Sequence, residues 1–213
     1  MSSKRRRPHL AGGYLPQAAT QKTVIPGLGV DLPELQRARA LWLANRFDEA
    51  LQLFETAVRK HPQNLVALVD ASRALGARFE IRRAEEMLDR LMKVGARQPN
   101  LLHLAGQSYR MIFRPDKAMN CFERVLGMTK DLPDACLELA ILYERRHRVE
   151  EAYALIGDCL RRDPDYVEAQ LFKARLLRRI KDEVASELLF RELAANEQAP
   201  PQVRAQAWAE IAA

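Results

Sequence analysis

The stretch Leu102-His103-Leu104-Ala105-Gly106-Gln107-Ser108-Tyr109, followed by Arg114-Pro115-Asp116-Lys117-Ala118 and then Phe122, sets large and small residues at helical intervals. Leu102, Ala105, Gly106 and Tyr109 fall on one face of a helix; Pro115 opens a second helix, whose inner face carries Ala118 and Phe122. Glycine inside a helix costs about 1 kcal/mol relative to alanine. Close approach of two backbones is the usual reason a chain accepts that cost.

The pattern recurs. Ala50, Ala84, Ala118 and Ala152 are separated by 34, 34 and 34 residues. Three equal intervals mark a repeat, and a period of about 34 residues describes stacked helical hairpins. Ala38, Ser72, Gly106, Ala140 and Ala174 keep the small position, and Phe54, Leu88, Phe122, Ile156 and Phe190 recur as large plugs toward the next hairpin. Pro62 and Pro164 end second helices, because the residue before a proline avoids the helical region. Pro99 and Pro133 open first helices, where a missing N–H costs nothing.

These residues resemble the tetratricopeptide repeat: Leu102, Ala105, Gly106, Tyr109, Ala118 and Phe122 in one unit, and Leu139, Ala140, Tyr143, Ala152, Ile156 and Pro164 in the next. The resemblance implies an all-α fold, an α-solenoid of antiparallel hairpins. The expected order is a disordered basic tail over 1–30 and five repeats at 31–64, 65–98, 99–132, 133–166 and 167–198. A linker and the start of a sixth repeat fill 199–213, with extra residues around Ala199-Pro200-Pro201. Arg37 and Lys173 depart from the pattern, standing where a leucine is expected on the first helices of units one and five. Arrays usually end in a polar capping helix; none is recognisable here, so the chain is expected to be a fragment of a longer protein.

Composition narrows the function classes. Of 213 residues, 48% are hydrophobic and 29% charged, which suits a soluble protein with ample core. The net charge of +6 is concentrated at one end, since residues 1–30 hold five bases and no acid and the other 183 residues carry +1. No apolar run reaches the length of about 18 residues that a membrane span needs. Cys121, Cys136 and Cys159 lack metal-ligand spacing and read as reduced, packed thiols of a cytoplasmic protein. No catalytic residues, metal ligands or cofactor motifs stand out: Gly27-Leu28-Gly29 lacks its third glycine, and there is no GxxxxGK[ST] or HExxH. Acidic pairs such as Glu85 with Asp89 and Glu150 with Glu151 read as solvated helix faces.

By the geometry the resemblance implies, first helices line a concave groove with two exposed positions each. One series is Leu35, Val69, His103, Leu137 and Leu171; the other is Arg39, Arg73, Gln107, Ile141 and Arg175. Together they describe an apolar floor with arginines beside it, suited to a protein or peptide partner carrying acidic and apolar residues. Arg110 joins them, although a cation at the end of a first helix also offsets the helix dipole. The lysines and asparagines with which some relatives hold a chaperone's terminal carboxylate are missing from both series. Two alternatives stand beside the scaffold reading. One is a helical repeat that binds RNA, which the near-neutral body disfavours. The other is the substrate-recruiting region of a larger enzyme, because the layout is similar to the N-terminal half of bacterial tetratricopeptide sulfotransferases. Their phosphate-binding loop is absent from these residues.

Overall fold

Proline, asparagine and aspartate set where the helices begin. Pro33, Pro99, Pro133 and Pro201 occupy the first helical positions, and the side chains of Asn64 and Asp182 accept N–H bonds from Ala67 and Ala185. The computed structural model describes residues 31–95 and 97–212, so the tail expected over 1–30 lies outside the described residues, as does Ala213. The described residues form eleven α-helices and no strand.

The chain divides into two units, Met1–Arg114 and Pro115–Ala213. In the first, α1 (Pro33–Leu43) pairs with α2 (Phe47–Lys60), and α3 (Leu65–Ala77) with α4 (Ile81–Gly95). Helix α5 (Pro99–Met111) packs against both α3 and α4. In the second unit, α6 (Pro115–Met128) packs on α7 (Pro133–Arg145), which pairs with α8 (Val149–Arg162). Helix α9 (Val167–Arg179) pairs with α10 (Glu183–Ala195), and α11 (Pro201–Ile211) lies against both.

The periodic residues form the cores. Ala50, Ala84, Ala118 and Ala152 have no exposed surface, and neither do Phe54, Leu88, Phe122, Ile156 and Phe190. The small series Ala38, Ser72, Gly106, Ala140 and Ala174 is likewise buried. Arg37 is exposed on α1. Lys173 is half-buried and brings its ammonium to 6.0 Å from the centre of the Tyr153 ring, which explains a cation at a leucine position.

Each first helix from α1 to α9 ends in the same way. Asn45, Phe79, Phe113, His147 and Lys181, again 34 residues apart, have φ between 59° and 65°. The N–H of each bonds back three residues, and the next N–H bonds back five, as Phe79 to Gly76 and Glu80 to Leu75 do. This left-handed termination is usually built on glycine; here five other residues carry it, at roughly 1–2 kcal/mol apiece.

Candidate functional site

Side chains on the first helices were the expected binding residues, and the structure sorts them into three groups. Leu35, Val69 and Leu171 are core residues rather than groove floor, at 0%, 6% and 4% exposure. Leu171 packs with Phe190, Leu193 and Val203 because α11 closes over that face of α9. Val69 lies on α3, which α4 and α5 both cover.

The arginines form a second group, and internal carboxylates already engage two of them. Arg39 donates Nε to Asp70 at 2.8 Å and Nη1 to both oxygens of Asp31 at 3.0 and 2.9 Å. The three side chains are only 14–18% exposed. Burial alone would lower the Arg39 pKa, but Asp70 and Asp31 together hold it above its ordinary value. For Asp70 the balance runs the other way: burial raises the carboxyl above its usual range despite Arg39 and the nearby Arg73. Arg73 is itself half-buried. In the second unit, Arg175 Nε reaches Glu210 at 2.8 Å, and Arg178 bonds both the Glu210 carboxylate and its backbone carbonyl at 3.0 and 2.7 Å. Thus α9 holds the last turn of α11. Sequence reading missed Asp31, Asp70 and Glu210 as partners. The available signal was an acid about one repeat further on, 31 residues from Arg39 and 35 from Arg175.

The third group keeps accessible surface. His103, Gln107 and Arg110 are partly exposed on α5 in the first unit, with His103 Nδ1 and Arg110 Nε buried, and Leu137 and Ile141 are partly exposed on α7 in the second. These side chains project from helices fixed by cores on their other faces, a rigid presentation suited to binding.

The remaining polar groups are structural. Glu85 and Asp89 are not a solvated face: Glu85 accepts from Arg114 at 2.9 Å and Asp89 from the Tyr109 hydroxyl at 2.8 Å. Glu151 is exposed and pairs with Arg148. All three cysteines are buried, and none is in a disulfide among the described residues. Burial pushes the Cys121 thiol up to about 11. Cys136 and Cys159 meet across α7 and α8, each directed at a carbonyl of the opposite helix, Leu155 and Pro133 respectively. The hydrogen bond to Cys159 and then burial hold the Cys136 thiol well above the usual range. Among the described residues, no three or more histidine, cysteine or acidic side chains converge as a metal site, and no helix is long and apolar enough to cross a membrane.

Helical hairpins repeating at a fixed interval define a helical-repeat protein. The chain belongs to the tetratricopeptide repeat family, whose profile matches residues 41–107 and 113–176, more than half of its length. Over 134 residues it is 27% identical to the general transcriptional corepressor ssn6 of Schizosaccharomyces pombe, a match spanning 62% of this chain and 12% of that protein. A tetratricopeptide repeat protein from Parabacteroides merdae has a similar structure, with a TM-score of 0.68 at 16% identity over 84% of this chain and 69% of its own. YrrB, described as a TPR protein with an unusual peptide-binding site, superposes with a TM-score of 0.61 at 15% identity, over 84% of this chain and 91% of its own. At such identities the structural likeness shows the fold alone. Proteins of this family bind protein or peptide partners, and the fold is typically non-catalytic.

Proposed function

We propose that the five hairpins, taken as repeats over 31–64, 65–98, 99–132, 133–166 and 167–198, present first-helix surfaces to a peptide carrying acidic and apolar side chains. The observation that carries this reading is the partly exposed trio on α5, in which His103, Gln107 and Arg110 share one face of a helix and combine hydrogen-bonding groups with a cation. In the second unit, Leu137 and Ile141 on α7 present an apolar first-helix surface of their own. Arg39 and Arg175 act mainly within the fold, since Asp70 and Glu210 engage them. Replacing their carboxylate partners would require an incoming acid to compete with bonds already made.

Selection of displayed peptides on the intact chain tests the reading. Enriched peptides should contain aspartate or glutamate next to leucine, isoleucine or phenylalanine. Their affinity should fall roughly tenfold or more when Gln107 and Arg110 are both changed to glutamate, the size expected for removing anchor residues. Enrichment of peptides that bind the double variant equally well would refute the α5 surface. The alternative reading, a recruiting segment of a larger sulfotransferase-type enzyme, uses the same surfaces and places the chemistry outside these residues.

A further inference from the structure

The left-handed turn position that recurs every 34 residues carries polar side chains at Asn45, His147 and Lys181 but phenylalanine at 79 and 113. A bulky aromatic is poorly suited to positive φ, and asparagine at the same place in the first turn shows the ordinary solution. Nor do the two rings pack inward, because Phe79 is 77% and Phe113 71% exposed. The fold therefore gains nothing from them that asparagine would not supply. Backbone strain combined with unburied aromatic surface is a recurring mark of a functional position.

The two turns are neighbours in the first unit. Gly76, three residues before Phe79, has no Cβ because one would lie 2.6 Å from Met111 Cε and 2.9 Å from Ile112 Cγ2, just before Phe113. The ends of α3 and α5 are thus in contact, which brings the turns that carry the two exposed rings to one end of the unit, with partly buried Met111 at the end of α5. Helices that pack directly lie about 8–10 Å apart, close to the roughly 10.5 Å between residues seven apart on an α-helix. Arg82, exposed in the first turn of α4 and three residues beyond Phe79 in the chain, forms no ion pair among the described residues.

We propose that Phe79, Met111 and Phe113 form a second docking surface, distinct from the first-helix faces, for an acidic amphipathic helix. Its apolar residues seven apart would cover the two rings, and a carboxylate would meet Arg82. A second copy of this chain fits less well. The two rings offer on the order of 300 Å², well below the roughly 800 Å² per partner of a stable dimer.

The test uses the full chain and a fluorescein-labelled helical peptide of about four turns, with two leucines seven residues apart and glutamates beside them. Binding should weaken roughly tenfold or more in the Phe79→Asn/Phe113→Asn double variant, as expected when two aromatic anchors are lost. Arg82→Glu should weaken it roughly threefold or more, and lysines in place of the peptide's glutamates should weaken it similarly. Because asparagine already serves at position 45, the double variant should melt no lower than the parent, which separates lost binding from lost folding. Absence of binding to the parent chain, or equal binding to the double variant, would overturn the proposal. So would a dimer in sedimentation that the double variant dissolves, since the surface would then belong to a second copy. The probe's leucines and glutamates also suit the α5 face. The Phe79→Asn/Phe113→Asn change is therefore measured again in the Gln107→Glu/Arg110→Glu background, where it should still weaken binding roughly tenfold, so the two surfaces fail or stand separately.

Discussion

At the scale of single residues, the helical glycines are not equivalent. A Cβ on Gly95, the last residue of α4, would lie 1.8 Å from Leu101 Cδ2, 3.3 Å from Leu101 Cγ and 3.4 Å from Leu65 Cδ2. Leu101 is fully buried, so its side chain has no open space to move into. Gly95→Ala is therefore expected to destabilise the chain by about 1–3 kcal/mol, the usual cost of overpacking. Nothing comparable constrains Gly157 in α8, where a Cβ would meet only the Arg161 guanidinium at 3.7 Å, or Gly127 in α6, where it would meet nothing within 4 Å. At those two sites alanine should raise stability by about 0.8–1 kcal/mol each, from helix propensity alone. Urea denaturation of the three variants checks both signs, and a stabilising Gly95→Ala would show that the α4–α5 contact is looser than the structure has it.

At the scale of elements, paired helices are fastened by polar latches that repeat like the core. Tyr109 on α5 donates its hydroxyl to Asp89 on α4 at 2.8 Å, and Tyr143 on α7 donates to Glu123 on α6 at 3.1 Å. Donors and acceptors alike are 34 residues apart. Tyr109 is 2% exposed, whereas Tyr143 is half-exposed and its bond lies nearer water. Removing the hydroxyl should thus cost more at the first latch: about 1–1.5 kcal/mol for Tyr109→Phe and about 0.5 kcal/mol for Tyr143→Phe. Thermal melts of the two variants decide it, and equal small losses would show that solvent replaces both bonds without penalty. The tyrosines were legible as packing positions because their spacing is set by helix geometry. The acids were not, since a carboxylate facing water and one facing a neighbouring tyrosine occupy the same kind of position along a helix. The same gap hid Asp70 and Glu210, and it left Arg39 and Arg175 looking open when each is engaged. The left-handed turns escaped notice for a related reason. No glycine marks them, although their interval is that of the alanines that revealed the repeat.

At the scale of the whole molecule, a repeat architecture makes stability a sum of local terms, each hairpin answering to its neighbours. The cluster of Leu171, Ala174, Phe190, Leu193, Ala194, Val203 and Ala207 lies wholly within the second unit and ties α9, α10 and α11 together. Phe190 has no exposed surface, and the Arg178 guanidinium sits 5.0 Å from its ring centre while also holding Glu210. One aromatic ring thus supports both the apolar core and the cation that fastens α11. Phe190→Ala should cost about 3–5 kcal/mol locally, from the lost burial and the cavity left behind. If stability is local, amide hydrogen exchange in this variant should accelerate across α9, α10 and α11 while α1 to α4 keep the protection of the parent chain. Equal acceleration along the whole chain would mean that both units unfold as one cooperative body. The first-helix surfaces of α5 and α7 could then not be perturbed independently, and binding at either would stabilise both.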